Sequence, residues 1–319
     1  MNALSTALQL FDLSGKVDTI SSDSFKKIYK VYSKDGVYFL RLCNDQVYNK
    51  EEIESEISFL EILRNSGFNT MSAKKSINEL STEYIQTENN NVIATCCREV
   101  IGHHLRFHEF NNSYFYSLGE LTAKLHVQSS LINQKKVNLQ RPIAYQRAFR
   151  LFEKHSNHMD FNLFRKCVHL YDQFSSLEKK EDSFGLIHTD ITRNNIILNG
   201  REYYLIDLGD LSYSWFINDV AITLYDNLLH GSVKEDKYSK FVSNFMFHYW
   251  KGYFQFREPK EKMLELIPKF MHYRAIHDHI YLQVIWKNIN INVDQKAYYE
   301  KIKNMAHEGF DFLSINHFN

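Results

Sequence analysis

Between residues 26 and 44, KKIYKVYSKDGVYFLRLCN, β-branched and aromatic positions stand on both sides of Asp35-Gly36. This predicts a hairpin, because glycine tolerates the positive φ of a tight turn. The next segment, EEIESEISFLEILRNSG, puts Ile53, Ile57, Leu60 and Leu63 on one helical stripe, with Gly67 placed to stop it. A further strand runs from Asn91 to Val100 and ends at Ile101-Gly102. From Tyr114 the spacing turns helical, with Phe115, Leu118, Leu121 and Leu125 recurring every three or four positions. A second helical stretch covers Ala144 to Leu177, and SSLEKKEDS reads as the loop after it. Strands then return: Ile196-Ile197-Leu198 and Tyr203-Tyr204-Leu205-Ile206 flank Asn199-Gly200, a type I′ hairpin dipeptide. Helical spacing resumes over Trp215–His230, Lys237–Phe254, Lys260–Asn288 and Ala297–Leu313.

Composition narrows the class. A chain of 319 residues with 44% apolar and 15% aromatic content can bury a sizeable core and divide into two lobes. Lys and Arg number 38, as do Asp and Glu, so no net charge draws the protein to nucleic acid or to an anionic membrane. The N-terminus lacks a basic stretch followed by an apolar core, and no run of about 18 apolar residues occurs. The expectation is a soluble, cytoplasmic protein. Cys43, Cys96, Cys97 and Cys167 show no CxxC spacing, and the 15 histidines show no zinc-ligand spacing, so reduced thiols and no structural zinc are expected.

The hairpin at Asn199-Gly200 gathers the chemistry. Asp190 and Asn195 lead into its first strand and Asp207 follows its second, so three oxygen-bearing side chains are expected at its open end. Phosphoryl transfer requires phosphates held in line, a divalent cation between their oxygens, and a group that orients and deprotonates the attacking hydroxyl. Magnesium prefers oxygen ligands, and Asn195 and Asp207 are of that type, which leaves Asp190 to accept a proton. Taken singly, Asp190 is also a favoured turn residue, Asn195 a hairpin cap and Asp207 a strand-end carboxylate. Their common register favours chemistry.

His188-Thr189-Asp190, four residues, Asn195, and then Ile206-Asp207 resemble the catalytic loop and metal-binding segment of the aminoglycoside phosphotransferase and choline kinase family. That resemblance implies an α+β, two-lobed, protein-kinase-like fold. Residues 1–102 would form a nucleotide-binding lobe, an antiparallel sheet with one helix. Residues 103–319 would form a larger, mainly helical catalytic and acceptor-binding lobe. It implies Asp190 as base, His188 as support for the loop backbone, and Asn195 and Asp207 as metal ligands. Asp219 would anchor the following helix and the catalytic loop.

In VYFLRL the strand that carries the family's phosphate-contacting lysine has Arg41, and Glu56 occupies the place of its ion-pair partner. Arg and Lys are not interchangeable, although a guanidinium can also grip phosphate. Ser22 and Ser24, in a loop without the glycines of protein kinases, would cover the phosphates. The hinge would lie near Arg98 to Gly102. The C-terminal segments FHYWKGYFQF and LIPKFMHYRAIHD resemble members grouped with homoserine and hydroxylysine kinases. There Tyr249, Trp250, Tyr253, Tyr273 and His277 are read mostly as core, with some lining an acceptor cleft.

The implied activity is ATP- and Mg²⁺-dependent O-phosphorylation of a small molecule such as an amino alcohol, a hydroxyamino acid or an aminoglycoside-like compound. The sequence does not choose between ATP and GTP, and it leaves the oligomeric state unread. The alternatives are a protein Ser/Thr kinase on the same fold and a non-catalytic, nucleotide-binding pseudokinase scaffold.

Overall fold

The computed structural model describes residues 2–22, 25–87, 90–231, 237–287, 289–310, 312–313 and 317. The chain divides into two compact units. The first comprises Met1–His103, Asn138–Arg141 and Ile197–Gly209; the second comprises His104–Val137, Pro142–Ile196 and Asp210–Asn319.

The first unit opens with a helix, α1 (Ala3–Leu10), followed by strands β1 (Lys16–Ser22), β2 (Lys26–Ser33) and β3 (Gly36–Asn44). Then come α2 (Lys50–Asn65), β4 (Ser72–Ala73), β5 (Thr82–Gln86), β6 (Asn91–Arg98) and β7 (His103–His104). The main sheet has the order β1-β2-β3-β6-β4, with β5 also on β6, and its pairs are antiparallel. The expected β2–β3 hairpin forms with Ser33 opposite Gly36, so its two-residue turn is Lys34–Asp35 and the glycine opens the next strand. Asn49 caps α2 by accepting the Glu52 N–H at 3.1 Å, and Ile53, Ile57, Leu60 and Leu63 are buried. Gly67, with φ +81°, follows its end. Among the described residues the unit carries two α-helices rather than the single one expected. Ala7 of α1 and Phe11 just beyond it join Val31, Leu40, Ala94 and Cys96 in the sheet's core, so the N-terminal segment supplies apolar cover.

The second unit contains α3 (Asn112–Gln134), α4 (Ala144–Lys154), α5 (Phe161–Ser175) and β8 (Phe184–Ile187). The chain then contributes β9 (Ile196–Asn199) and β10 (Glu202–Leu205), which pair as a hairpin largely within the first unit. The positive φ falls on Gly200, at +63°, and not on Asn199. The chain therefore turns through Gly200–Arg201 with glycine first, whereas a type I′ turn through Asn199-Gly200 would need both residues positive. The second unit resumes with β11 (Ser212–Trp215), α6 (Phe216–His230), α7 (Tyr238–Tyr253), α8 (Glu261–Leu264), α9 (Ile267–Trp286) and α10 (Val293–Glu308).

Two long helices expected from periodicity are interrupted. The Ala144–Leu177 stretch breaks at Met159-Asp160, where both residues are extended and the Asp160 carboxylate caps α5 through the Leu163 N–H at 2.8 Å. The Lys260–Asn288 stretch breaks between α8 and α9. Pro268 sits in the first turn of α9, where its missing N–H costs no hydrogen bond. The last helix begins four residues early because Asn292 and Gln295 form a reciprocal cap.

Helices α3 and α7 cross at glycines. A Cβ on Gly119 would lie 1.9 Å from the Tyr249 carbonyl oxygen, and one on Gly252 would lie 1.9 Å from that of Tyr116. Only glycine permits this approach, and it brings His126 of α3 beside Tyr253 of α7. Strands β8 and β11 pair antiparallel with Ile187 opposite Ser212, which delivers His188 at the end of β8 and α6 directly after β11. No described helix is long and apolar enough to cross a membrane.

Candidate active site

The loop from His188 to Asn195 belongs to the second unit and is pinned by α6 at both ends. Asp219, wholly buried, accepts the backbone N–H of His188 on one oxygen at 2.9 Å and that of Thr189 on the other at 2.8 Å. His126 contacts the same carboxylate at 3.2 Å, and its other ring nitrogen lies 2.9 Å from the Tyr253 hydroxyl. Seven residues along, Asp226 accepts the Arg193 N–H at 2.9 Å. Two helical turns bring both carboxylates to one face of α6. Burial pushes the Asp226 carboxyl up to about 7, even though the Arg193 N–H and guanidinium favour its charge.

Thr189 adopts a left-handed backbone, φ +64°, which costs a non-glycine residue of order 1 kcal/mol or more. The surroundings hold it there. Its N–H goes to Asp219, its hydroxyl donates to the Asp210 carbonyl at 2.6 Å, and its own carbonyl accepts from Arg274 of α9 at 3.0 Å. This turn aims Asp190. The Asp190 N–H donates to His188 Nδ1 at 3.2 Å, its Oδ2 accepts Asn195 Nδ2 at 2.7 Å, and its Oδ1 accepts Arg274 Nη2 at 2.8 Å. Asn195 Nδ2 also donates to the Asp190 carbonyl at 2.9 Å. Because the nitrogen is committed twice, the amide's orientation is fixed and Oδ1 is the atom left to meet a cation.

In the first unit, Arg41 of β3 meets Glu56 of α2 through two nitrogens, at 2.9 and 3.0 Å, and its Nε donates to Thr95 Oγ1 at 3.2 Å. Burial opposes the charge on Arg41, but the Glu56 carboxylate outweighs it and raises the guanidinium above its ordinary value. Asp207 is exposed, has φ +60°, and accepts the Gly209 N–H on Oδ1 at 3.2 Å. A side chain at Gly209 would start 3.0 Å from that oxygen and 3.7 Å from Arg41 Nη1. Glycine keeps the space open. The Asp207 carboxylate and the Asn195 amide are hard oxygen donors suited to magnesium. Ser22 lies exposed at the end of β1 opposite Lys27, and Ser24 falls outside the described residues.

A family model described as "Phosphotransferase enzyme family", APH, matches residues 17–237. The chain belongs to this family. It is 23% identical over 254 residues to amicoumacin kinase of Bacillus subtilis (strain 168), covering 79% of this chain and 76% of that one. Among solved structures it resembles amicoumacin kinase hAmiN in complex with AMP-PNP, Ca²⁺ and Ami, with a TM-score of 0.87, 21% identity, and coverage of 99% and 96% of the two chains. It also resembles a microcompartment-associated aminopropanol kinase, with a TM-score of 0.68, 16% identity, and coverage of 95% and 94%. The protein-kinase-like fold expected from the catalytic-loop motif is therefore the fold observed, and the chain is a small-molecule phosphotransferase.

Sequence reading of this phosphotransferase passed over Arg274, Asp278 and Asp226. Arg274 contacts Asp278, four residues on, through Nε at 2.9 Å. Burial disfavours both charges, yet the attraction between them raises Arg274 and lowers Asp278 from their ordinary values. A charged pair at i,i+4 in IPKFMHYRAIHDHIYL, a stretch rich in apolar and aromatic residues, is the signal that could have exposed it. Tyr249, Trp250, Tyr253 and Tyr273 are buried core residues, while His277 is half-buried and contacts Asp278 at 3.1 Å.

Proposed function

We propose that this phosphotransferase uses ATP and Mg²⁺ to phosphorylate a hydroxyl on a small, amine-bearing molecule, with Asp190 as the base. The acceptor class is that of amino alcohols, hydroxyamino acids and aminoglycoside-like compounds. One observation carries the reading: a carboxylate held on both oxygens, by Asn195 and Arg274, at the apex of a turn clamped from α6 and α9. A base so fixed meets an incoming hydroxyl without first being ordered.

In the reaction, the acceptor oxygen forms a bond to the γ-phosphorus as the bond from that phosphorus to the bridging oxygen breaks, leaving ADP. The hydroxyl proton passes to Asp190. Asn195 Oδ1 and the Asp207 carboxylate would hold Mg²⁺, which would supply neutralisation of charge on the phosphate oxygens. Arg41, oriented by Glu56, grips phosphate, and Ser22 and Ser24 cover it. His188 steadies Asp190 through the backbone. The AMP-PNP and Ca²⁺ bound to the hAmiN relative support an adenine nucleotide with a divalent cation, and the aminopropanol kinase supports an amine-bearing acceptor.

A small acceptor is favoured over a protein by the brevity of the segment after Asp207. Only a short turn and β11 separate it from α6, which leaves no room for a long activation loop. Asp190→Asn is the test. It should lower transfer across a panel of amino alcohols and aminoglycosides by about 10³-fold while nucleotide binding persists. Transfer at the wild-type rate would end the mechanism.

A further inference from the structure

We infer that Arg274 is a positioning residue for the transfer reaction, holding the Asp190 carboxylate and the Thr189 carbonyl at once so that the base presents one fixed orientation to the acceptor hydroxyl. The inference rests on Asp190 being the base and extends that reading to a residue on a distant helix.

Each nitrogen of the Arg274 guanidinium has its own task. Nη2 donates to Asp190 Oδ1 at 2.8 Å, Nη1 donates to the Thr189 carbonyl at 3.0 Å, and Nε faces Asp278 Oδ1 at 2.9 Å. One planar group thus ties α9 to two consecutive loop residues, a geometry that a lysine's single nitrogen cannot reproduce. Its neighbours on α9 include buried Phe270, Met271 and Ala275, and the guanidinium side chain itself is 22% exposed. Placing a charge there costs desolvation that buried ion pairs seldom return as net stability. What the arrangement does supply is aim. Asn195 restrains one oxygen of Asp190, and rotation about the carboxylate's axis is stopped only when Arg274 takes the other. Asp278 fixes Arg274 from behind, with His277 contacting the same oxygen.

The test compares Arg274→Ala, Arg274→Lys and Asp278→Asn with wild type in steady-state transfer to an amino alcohol. Loss of aim predicts that Arg274→Ala lowers kcat about 100-fold while the nucleotide KM stays within about threefold. Low concentrations of free guanidinium should restore part of that kcat, and should restore none to Asp190→Asn. Arg274→Lys should recover little, and Asp278→Asn, which keeps the arginine but loosens its anchor, should fall between. If Arg274→Ala fails to fold, Arg274→Lys and Asp278→Asn carry the same prediction in milder form. Variants that turn over within about threefold of wild type, or that lose nucleotide binding and kcat together without guanidinium rescue, would overturn the assignment. The kinase reading fails separately: a wild-type enzyme that transfers no phosphate to any acceptor would remove it, and with it any part for Arg274 in turnover.

Discussion

Arg41 and Arg274 both face buried or half-buried carboxylates, one in each unit, yet the two pairs are built for different ends. Arg41 shares both oxygens of Glu56, a residue 5% exposed on the inner face of α2, and neither member is the group that reacts. Arg274 divides its nitrogens among a helix carboxylate, a backbone carbonyl and Asp190. A closed pair fixes a cation in one place. An open one passes rigidity from a helix to a loop. The same residue type therefore closes on one partner in the first unit and links a helix to a loop in the second.

The largest loss of stability is expected on the α6 side. Asp219→Ala strips the buried His188 N–H, the part-buried Thr189 N–H and His126 of their partner, and should lower unfolding free energy by about 3–5 kcal/mol in urea titrations. Activity should fall with it, because the loop loses its clamp. Next in size is a pH effect. Asp226 ionises near 3.8 in the unfolded chain but only at about 7 when buried, so the folded state holds its proton more tightly. Its contribution to stability is complete below about pH 4 and is lost as pH rises through 7, an amount of roughly 2–4 kcal/mol. Asp226→Asn, followed by denaturant melts from pH 4 to 8, should remove that slope.

Arg41→Ala should raise the nucleotide KM at least about tenfold. It should also cost about 2–3 kcal/mol of stability, because Glu56 is left buried and unpaired. A kcat effect with KM unchanged would make Arg41 behave like Arg274 and erase the distinction. The scaffold beneath both is no more tolerant: a methyl at Gly119 would meet backbone atoms rather than a flexible side chain, so Gly119→Ala forces α3 from α7 and should lower unfolding free energy by about 3 kcal/mol or more in urea titrations.

Much of this was legible in the sequence because local rules carried it. The stripe Ile53, Ile57, Leu60 and Leu63 is the buried face of α2, and the Asn195–Asp207 segment does pair on itself as a hairpin. Failures arose where a local signal had two outcomes. Periodicity alone could not show that Asp160 caps a new helix within Ala144–Leu177, since aspartate in a polar stretch also fits a solvent-facing helix position. Asn199-Gly200 suggested a type I′ turn, but only Gly200 takes positive φ.

Arg274 was hidden for another reason. Its meaning lies in contacts 84 and 85 residues away, with Asp190 and Thr189, which no window of neighbouring residues contains. The two aspartates of FINDVAITLYDNLLH were a better clue than was made of them. Residues i and i+7 share a face, and charges on a helix buried nearly all round require partners.

The clamp on Thr189 also sets an order of events during synthesis. Its three polar groups are engaged by Asp219, by Asp210 and by Arg274, so the last of these emerges from the ribosome long after the loop itself. A growing chain folds from its N-terminus as it appears, and both members of the Arg41–Glu56 pair lie within its first fifth. The loop bearing Asp190 acquires its final restraint only once α9 has been made. Such a chain can complete the Arg41–Glu56 pair early and the restraint on Asp190 late, so a truncated product ending before residue 274 would lack the contacts that α9 makes with the loop.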